Sequence, residues 1–305
     1  MKPIICIAGP TASGKSAWAL EIAKSVGGEI INADALQVYL DLQILSARPT
    51  LQEMDGIPHH LFGHVVGNVR YSTGQWLREV QPVILQCLAR DVIPILVGGT
   101  GLYFKALIEG IAEVPPVSDE SMSKAQAVLD ENGIAGLRAE AEKVDAIAAA
   151  RVLGNDPQRL LRIVSVFYET DRALSSWQAN TRPIIPKRFC RRAVLLPQRQ
   201  GLYERINARF GAMIENGGLA EAKAIFEKGY DHSLPMMKAI GLQQFFPYLR
   251  GEVDLDESIE LAKRDTRRFA KRQFTWFRGQ AANWDQITNN AQKRVFEANI
   301  TSKIL

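Results

Sequence analysis

The chain has 305 residues, of which 47% are hydrophobic and 23% are charged, and its formal net charge is +4. These values are typical of a globular protein with about two domains. No run of 18 uncharged apolar residues is present, which argues against a membrane-spanning helix. The cysteines Cys6, Cys87 and Cys190 are far apart and odd in number, which argues against a disulfide framework or a cysteine-rich zinc module. We therefore expect a cytoplasmic protein without membrane association.

Positive charge is concentrated in two segments of the sequence. Residues 151–200 contain ten Lys or Arg and three acidic residues, and residues 263–278 contain seven Lys or Arg and one acidic residue. Such excesses suit a polyphosphate partner such as a nucleic acid. Solvated helix surfaces explain them equally well. Charge alone therefore leaves both interpretations open.

The first third of the sequence alternates between strands and helices. Apolar runs predict strands at residues 4–8, 29–32 and 92–97, and helical periodicity predicts helices from Ser16 to the Gly27-Gly28 pair, over 74–90 and over 102–108. This alternation is typical of a parallel sheet with crossover helices. Because ligands bind at the carboxyl ends of such strands, residues just after them are expected to face one crevice.

The remaining sequence is mainly helical. Residues 118–182 are rich in Ala, Leu, Arg and Glu, a strand is predicted once more at 193–197, and helices are predicted at 200–216, 218–228, 238–249 and 255–278. We expect an α/β protein with a parallel-sheet core like that of the P-loop NTPases and an α-helical insertion domain. The core comprises residues 1–117 and 190–305, and the insertion comprises 118–189.

The segment between the first strand and the first helix matches the phosphate-binding pattern G-x-x-x-x-G-K-[ST]. In such a loop, backbone N–H groups surround phosphate oxygens at a helix N-terminus, the Lys binds the outer phosphate, and the following hydroxyl ligates Mg²⁺. The pattern therefore predicts a phosphate site with Mg²⁺ as cofactor and Ser16 as its ligand. Its residues are Gly9, Pro10, Thr11, Ala12, Ser13, Gly14, Lys15 and Ser16.

Two further residues follow predicted strands and are expected in the same crevice. Asp34 is a candidate general base or metal ligand, although a turn or helix-capping role is equally compatible with the sequence. Thr100 is a candidate ligand of a phosphate or of a nucleophile, or the N-cap of the helix over 102–108. The strand at 92–97 ends in glycines without an acid, which weakens an ordinary ATPase interpretation.

The adjacent histidines His59 and His60 suggest a metal site. Neighbouring side chains on a strand point to opposite faces, so both histidines could not readily bind one ion. No cysteine is close to them in sequence. A metal role for this pair is therefore not predicted.

Several ordered motifs resemble those of the tRNA dimethylallyltransferases, the bacterial tRNA isopentenyltransferases. They cover residues 4 to about 280 in the family's order, and the set is more specific than a P-loop alone. The matching segments are 9–16, 32–39, 58–61, 98–103, 155–159 with Arg162, Arg205-Ile206 with Arg209, 239–241 and 266–278.

This resemblance implies an enzyme that transfers a dimethylallyl group from dimethylallyl diphosphate to N6 of adenosine 37. The substrates would be tRNAs that read codons beginning with U, and the products N6-isopentenyladenosine and diphosphate. The P-loop would then hold a leaving diphosphate, and Lys15 would stabilise its charge. Family analogy makes Asp34 the general base, Thr100 a positioning residue, and Arg209 a diphosphate ligand, with Arg205 as the alternative.

The resemblance also implies contacts with the tRNA anticodon stem-loop and a monomeric enzyme. The predicted tRNA-binding residues are Asp34, Ala35, Leu36, Gln37, Thr100, Gln158, Arg159, Leu160, Leu161, Arg162, Lys238 and Gly241. The chain departs from the family's pattern at Ala35, at Phe62-Gly63, at Lys238 and at 242–244. These departures put individual RNA contacts in doubt more than the chemistry.

Three alternatives remain open at this point. An adenylate isopentenyltransferase would use the same donor on AMP, although the helical segments 118–182 and 238–278 favour a tRNA substrate. A small-molecule P-loop kinase would consume ATP. A non-catalytic RNA-binding protein would have no need of Lys15, Ser16, Asp34 and Thr100 together.

Overall fold

Six short strands form one parallel sheet in the residues that the computed structural model describes, 2–179 and 181–302. The strand order is β3-β2-β4-β1-β5-β6, and every neighbouring pair is parallel. The predicted α/β class with a parallel sheet is confirmed. The strands are β1 (Ile4–Ala8), β2 (Gly28–Asn32), β3 (His59–His60), β4 (Ile93–Gly98), β5 (Cys190–Leu195) and β6 (Asp285–Ile287).

Twelve α-helices accompany the sheet in the described residues. They are α1 (Lys15–Val26), α2 (Leu51–Met54), α3 (Thr73–Ala89), α4 (Gly101–Glu109), α5 (Asp119–Ala150), α6 (Pro157–Thr170), α7 (Leu174–Gln178), α8 (Arg199–Glu215), α9 (Gly218–Glu227), α10 (Leu242–Leu249), α11 (Leu255–Gln280) and α12 (Asn290–Thr301). Within this part of the chain, none of them is both long enough and apolar enough to cross a membrane.

Three of the four interior strands are buried along their whole length. All residues of β1, β2 and β4 are buried, as expected when both faces of a parallel sheet are covered. On one face, Ile5 and Ile7 pack with Trp18 and Ile22 of α1. The carboxyl ends of these strands lie side by side, so the segments that follow them share one edge of the sheet.

The chain divides into two compact units. The first, the sheet unit, contains all six strands; it runs up to Ala106 and continues from Ile185. The second, the helical unit, is Leu107–Ile184. The helical unit therefore begins earlier and ends earlier than the predicted 118–189. A backbone hydrogen bond of 3.1 Å from Ile184 N–H to the Leu107 carbonyl joins its two ends. Val114 and Val117 also pack into its core, which explains why the unit includes residues before 118.

The helical unit has its own apolar core, in which α5 packs against α6. Leu137 of α5 is buried with Leu160, Ile163 and Val164 of α6. Helix α5 is interrupted at Gly133 and at Asp145, where the backbone angles are not helical. The Asp145 carboxylate accepts hydrogen bonds from the N–H groups of Ala148 and Ser175 at 2.9 and 2.7 Å. The helical unit is therefore stabilised by contacts among its own side chains.

The expectation of only one late strand was wrong. Strand β5 begins at Cys190, three residues before the predicted start, because Arg191 and Arg192 mask its apolar character while they pair with Ile5 and Cys6. Strand β6 was not predicted, because Asp285 and Gln286 are polar residues at the sheet edge. Helix α12 was also not predicted; its Phe296 ring lies 5.4 Å from the Trp18 ring.

Candidate functional site

The loop Gly9–Ser16 joins β1 to α1 in the conformation that the phosphate-binding pattern predicts. Ala12 and Gly14 have positive φ angles of 60° and 86°, which allow a tight turn just before the helix. Within this turn the Thr11 N–H donates to Gln273 and the Ser13 N–H donates to the Pro10 carbonyl. Gly14 precedes the first residue of α1, and the first N–H groups of a helix have no acceptor within the helix. The Ser13 hydroxyl is buried and has no hydrogen-bond partner among the described residues. These features suit the binding of an anion.

Two arginines of α8 contact this loop. Arg209 donates from Nη2 to the Thr11 hydroxyl, and Arg205 donates from Nε to the Ala12 carbonyl at 3.0 Å. The two residues are one helical turn apart and therefore lie on the same face of α8. Arg209 is half-buried and Arg205 is exposed. Both arginines that the sequence singled out thus reach the phosphate loop.

Asp34 lies in a tight turn after β2. Its Oδ1 accepts a hydrogen bond of 3.0 Å from the Leu36 N–H, and its own N–H donates to Asn32 Oδ1 at 2.8 Å. Asn32 is fully buried, and its amide also donates to the carbonyls of Asp34 and Leu61. The carboxylate therefore has the turn role considered from the sequence, and it is also one of the side chains that line the pocket at this edge.

Thr100 follows β4 and meets the Asp34 turn from the neighbouring strand. Its hydroxyl accepts a hydrogen bond of 2.9 Å from the Ala35 N–H, and its N–H donates to the Ala33 carbonyl at 3.2 Å. Gly98 permits this approach, since a Cβ there would lie 2.0 Å from the Ala33 oxygen. These hydrogen bonds hold the backbone on both sides of Asp34 against Thr100, so the two residues lie close together.

A pocket extends from these polar groups into an apolar region. Its polar end contains Thr11, Asp34 and Arg209. The walls are mainly aliphatic and aromatic side chains from the loop after β2, from α8, from the segment before α10 and from α11. They include Leu36, Leu45, Ile206, Phe210, Met213, Ile240 and Phe269. A pocket with an anion-binding end and apolar walls suits an amphipathic ligand.

The site contains more positive than negative charge. Burial is the main cause that lowers the pKa of Lys15 from its ordinary 10.5 to about 8; Asp34 opposes this change and Arg209 adds to it. Burial also lowers the pKa of the Arg209 guanidinium, with Asp34 again opposing. Two half-buried cations therefore interact with one carboxylate. A bound polyanion would supply the missing negative charge.

An acidic side chain of α9 holds one wall of the pocket. The Glu221 carboxylate accepts from the N–H groups of Gln43, Ile44 and Leu45 at 2.8, 2.8 and 2.9 Å. Leu45 also packs against Gly241, where a Cβ would lie 2.8 Å from a Leu45 methyl carbon. The position of Leu45 therefore depends on α9 and on the segment before α10, which sequence reasoning did not associate with it.

The predicted RNA-binding residues of the sheet unit differ in exposure. Leu36 is half-buried in the pocket wall, and the Gln37 amide donates to the carbonyls of Ser46 and Ala47 within the same loop. Lys238 is exposed, whereas Gly241 is buried. RNA contacts by these residues stay predictions.

The predicted RNA-binding residues of the helical unit lie in the first turns of α6. Gln158, Arg159 and Arg162 are exposed, Leu161 is half-buried and Leu160 is fully buried in the core of this unit. A helix places residues three apart on one side, so Arg159 and Arg162 can present their guanidinium groups together. Their contact with RNA also stays a prediction.

Sequence reasoning missed the role of Gln273 on α11. This residue is only 6% exposed, and its amide accepts from the Thr11 N–H at 2.8 Å and donates to the Gly99 carbonyl at 3.0 Å. A signal was present, because Gln273 is a neutral polar residue between the buried Ala270 and Phe277 of a basic helix. Its partners could not be inferred from that pattern.

Only one cluster of potential metal ligands occurs among the described residues, and it lies away from the phosphate loop. It consists of Glu29, His60 and Cys87. Arg90 donates to both Glu29 oxygens at 2.8 and 2.7 Å, and this bond is the main reason that the pKa of Glu29 falls to about 2. Burial raises the pKa of the Cys87 thiol to about 11. The cluster is therefore better explained as an ion pair that joins β2 to α3.

Two family models match this chain. The model described as IPP transferase matches residues 37–280, and the model described as Isopentenyl transferase matches residues 2–61. A tRNA dimethylallyltransferase of Maricaulis maris is 50% identical over 287 residues, which cover 94% of this chain and 93% of the relative. The chain belongs to the IPP transferase family. A second member of the family, a tRNA dimethylallyltransferase of Bradyrhizobium sp., is 45% identical over 93% of each chain.

Solved structures of IPP transferase proteins share this fold. The full-length tRNA isopentenylpyrophosphate transferase of Bacillus halodurans aligns with a TM-score of 0.71 and 31% identity, over 100% of this chain and 97% of its own. A eukaryotic dimethylallyltransferase described as acting on tRNA aligns with a TM-score of 0.78 and 30% identity, over 91% of this chain and 70% of its own. The resemblance found in the sequence is therefore confirmed.

Proposed function

We propose that this protein transfers a dimethylallyl group from dimethylallyl diphosphate to N6 of adenosine 37 in tRNAs that read codons beginning with U. The observation that carries the proposal is a single pocket whose polar end joins Thr11, Arg209 and Asp34 and whose walls are apolar. The relatives named tRNA dimethylallyltransferase support the same reaction. We expect the enzyme to act as a cytoplasmic monomer.

The phosphate loop holds the leaving group in this proposal. When the bond between the allylic carbon and the diphosphate oxygen breaks, the electron pair stays on the diphosphate. Lys15, Arg209 and the loop N–H groups then stabilise the charge that develops there. The aliphatic walls exclude water from the activated carbon, which water would otherwise convert to an alcohol.

Asp34 accepts the proton that N6 loses. The N6 lone pair forms the new bond to carbon, and the amino group must release one proton to become a neutral secondary amine. Asp34 keeps its Oδ2 available while Oδ1 is bound by the Leu36 N–H. Thr100 holds the Ala35 backbone at 2.9 Å, so the carboxylate has a fixed direction. We infer that Thr100 acts by positioning this turn.

Mg²⁺ fits the same end of the site. Ser16 is exposed in the first turn of α1, directly after Lys15, and a hydroxyl there can ligate a cation that also binds phosphate oxygens. The buried Ser13 hydroxyl, which has no hydrogen-bond partner among the described residues, supports a further polar ligand at this loop. When bound, the cation would neutralise part of the diphosphate charge.

The basic face of α11 provides a surface for RNA phosphates. Arg268, Lys271, Arg272 and Thr275 line an open pocket beside the half-buried Trp276 ring. The described residues offer no acidic partner to Lys271 or Arg272. Trp276 packs against Gly101, where a Cβ would lie 2.2 Å from the ring. Because Gly101 directly follows Thr100 in the chain, this basic surface lies next to the Thr100 segment. The exposed arginines of α6 supply a second basic surface.

The reaction is tested by following radiolabelled dimethylallyl diphosphate. The protein is incubated with the donor, Mg²⁺, and either an anticodon stem-loop with adenosines at 36 and 37 or AMP. We expect label in the stem-loop, and none in a stem-loop with guanosine at 37. Label in AMP but not in RNA would refute the tRNA acceptor. ATP hydrolysis without prenyl transfer would refute dimethylallyl diphosphate as the substrate of the phosphate loop.

The variant Asp34→Asn tests the base assignment. Asn can still accept the hydrogen bond from the Leu36 N–H, so the turn keeps its shape. We expect kcat to fall by about 10²–10⁴, the usual contribution of general acid–base catalysis, with little change in affinity for the stem-loop. Unchanged turnover would remove Asp34 from this role.

A further inference from the structure

Gln273 is a buried polar residue on a helix whose other polar residues mostly face solvent. It lies on the buried face of α11 with Ala270, Phe274 and Phe277, while Lys271 and Arg272 beside it are exposed. Burying a carboxamide is unfavourable unless both of its ends form hydrogen bonds. Its partners therefore explain why a polar residue occupies this position.

The two ends of the Gln273 amide bind two different loops of the site. Oε1 accepts from the Thr11 N–H at 2.8 Å, and Nε2 donates to the Gly99 carbonyl at 3.0 Å. Thr11 belongs to the diphosphate loop. Gly99 immediately precedes Thr100, which binds the Asp34 turn. A carboxamide suits this bridge because it combines a donor and an acceptor, whereas a carboxylate only accepts and an ammonium only donates.

The backbone at Gly99 fits closely between these groups. A Cβ at this position would lie 2.4 Å from Gln273 Nε2, 3.3 Å from Asp34 Oδ2 and 3.4 Å from the Gly9 carbonyl oxygen. Gly99 is thus next to the bridging amide, the general base and the diphosphate loop at once. A shift of Gly99 would change the distance between the diphosphate loop, which holds the prenyl donor, and the Asp34 turn, which faces the prenyl acceptor N6.

We propose that Gln273 is a positioning residue for prenyl transfer, which fixes the diphosphate loop relative to the Thr100 and Asp34 segment. This inference rests on the proposed function. The allylic carbon is held from the side of the diphosphate loop, and N6 is held from the side of Asp34. The amide keeps these two reactants in line without touching either. Misplacement by about 1 Å can cost about 10²-fold in rate, so the role concerns kcat more than binding.

Two variants test the bridge by different chemistry. Gln273→Leu removes both hydrogen bonds at similar volume. Gln273→Glu keeps an acceptor for the Thr11 N–H but places a second oxygen against the Gly99 carbonyl. The matched control is Gln280→Leu, because Gln280 is an exposed glutamine of the same helix that binds Lys105. The assays are kcat, affinity for the stem-loop, affinity for a donor analogue with sulfur as the bridging atom, and hydrolysis of the donor without transfer.

We expect kcat to fall by about 10–10²-fold in both Gln273 variants, with both affinities within about threefold of wild type. The fraction of donor hydrolysed without transfer should rise, and the control should match wild type. A distinctive result is expected for Gln273→Glu: its kcat relative to wild type should recover as the pH falls, because the protonated carboxyl again donates to Gly99. A purely structural role would not produce this recovery.

Two results would overturn the inference. If wild-type protein transfers the prenyl group and both Gln273 variants keep its kcat and its coupling, the bridge has no role in the reaction. The inference also fails if both variants lose affinity for the donor analogue and the stem-loop in proportion to their loss of kcat. If wild-type protein transfers no prenyl group, the proposed function is refuted, and the positioning role with it.

Discussion

The pKa of Lys15 predicts how donor binding changes with pH. Burial is the main cause of the decrease from 10.5 to about 8, and the charged form is disfavoured because it is taken out of water. In the proposed function, diphosphate binds the protonated ammonium of Lys15. Below about pH 8 the lysine of the free enzyme already carries this proton, and above it the proton must be taken up on binding. Affinity therefore falls as the pH rises through about 8.

The size of this effect follows from the titration. With a pKa of about 8, roughly 90% of the free enzyme is protonated at Lys15 at pH 7 and roughly 10% at pH 9. We therefore expect the Kd of the sulfur-bridged donor analogue to rise about tenfold between these pH values. Isothermal titration calorimetry in buffers of different ionisation enthalpy measures both the Kd and the proton uptake.

A matched variant isolates the lysine. Lys15→Arg keeps the positive charge but holds its proton throughout this range, so its weaker binding should show no break near pH 8. The same burial lowers the stability of the empty enzyme by about 3 kcal/mol or less, so Lys15→Met should raise the Tm of the empty protein at pH 7. A wild-type Kd that stays constant up to pH 10 would refute the reasoning.

Two other predictions concern the surfaces around the site. Lys271→Ala and Arg272→Ala should weaken stem-loop binding and should each reduce the slope of log Kd against log salt by about 0.7–0.9 if the side chain contacts one phosphate; an unchanged slope would place RNA elsewhere. Glu221→Gln should raise the KM of the donor and lower the Tm, because hydrogen bonds to a charged group contribute about 1.5–3 kcal/mol each. Glu227→Gln on the same helix, which removes an exposed carboxylate, should change neither quantity.

The phosphate loop was predictable because its chemistry is local. Gly9 to Ser16 are consecutive, and the strand and helix on either side follow from apolar periodicity. Asp34 and Thr100 were predictable as neighbours, since parallel strands place their carboxyl ends together. The hydrogen bond between Thr100 and Ala35 is the specific form of that expectation. The sequence was therefore most informative where covalent neighbours or sheet topology determine position.

The supports of the site were not predictable because their partners are distant in sequence. Gln273 is 262 residues from Thr11 and 174 from Gly99, and Glu221 is 176 residues from Leu45. Periodicity showed that α11 is amphipathic and basic but could not show which backbone groups its one buried amide meets. The edge strand β6 was missed for a related reason, since its polar residues pair through backbone groups that no side-chain pattern reveals.

The excess of positive charge at the site, where Lys15 and Arg209 face one Asp34, explains how a phosphate loop could stabilise a leaving diphosphate. Burial of the Lys15 ammonium is unfavourable in the empty enzyme and is the main cause of its lowered pKa, and repulsion from the Arg209 guanidinium adds to it. Bound diphosphate relieves this repulsion. In the proposed reaction the negative charge of the diphosphate increases as its bond to carbon breaks, so the same two cations would interact more strongly with the transition state than with the intact donor. Interactions of that kind raise kcat, and this is why the buried lysine matters for the reaction as well as for binding.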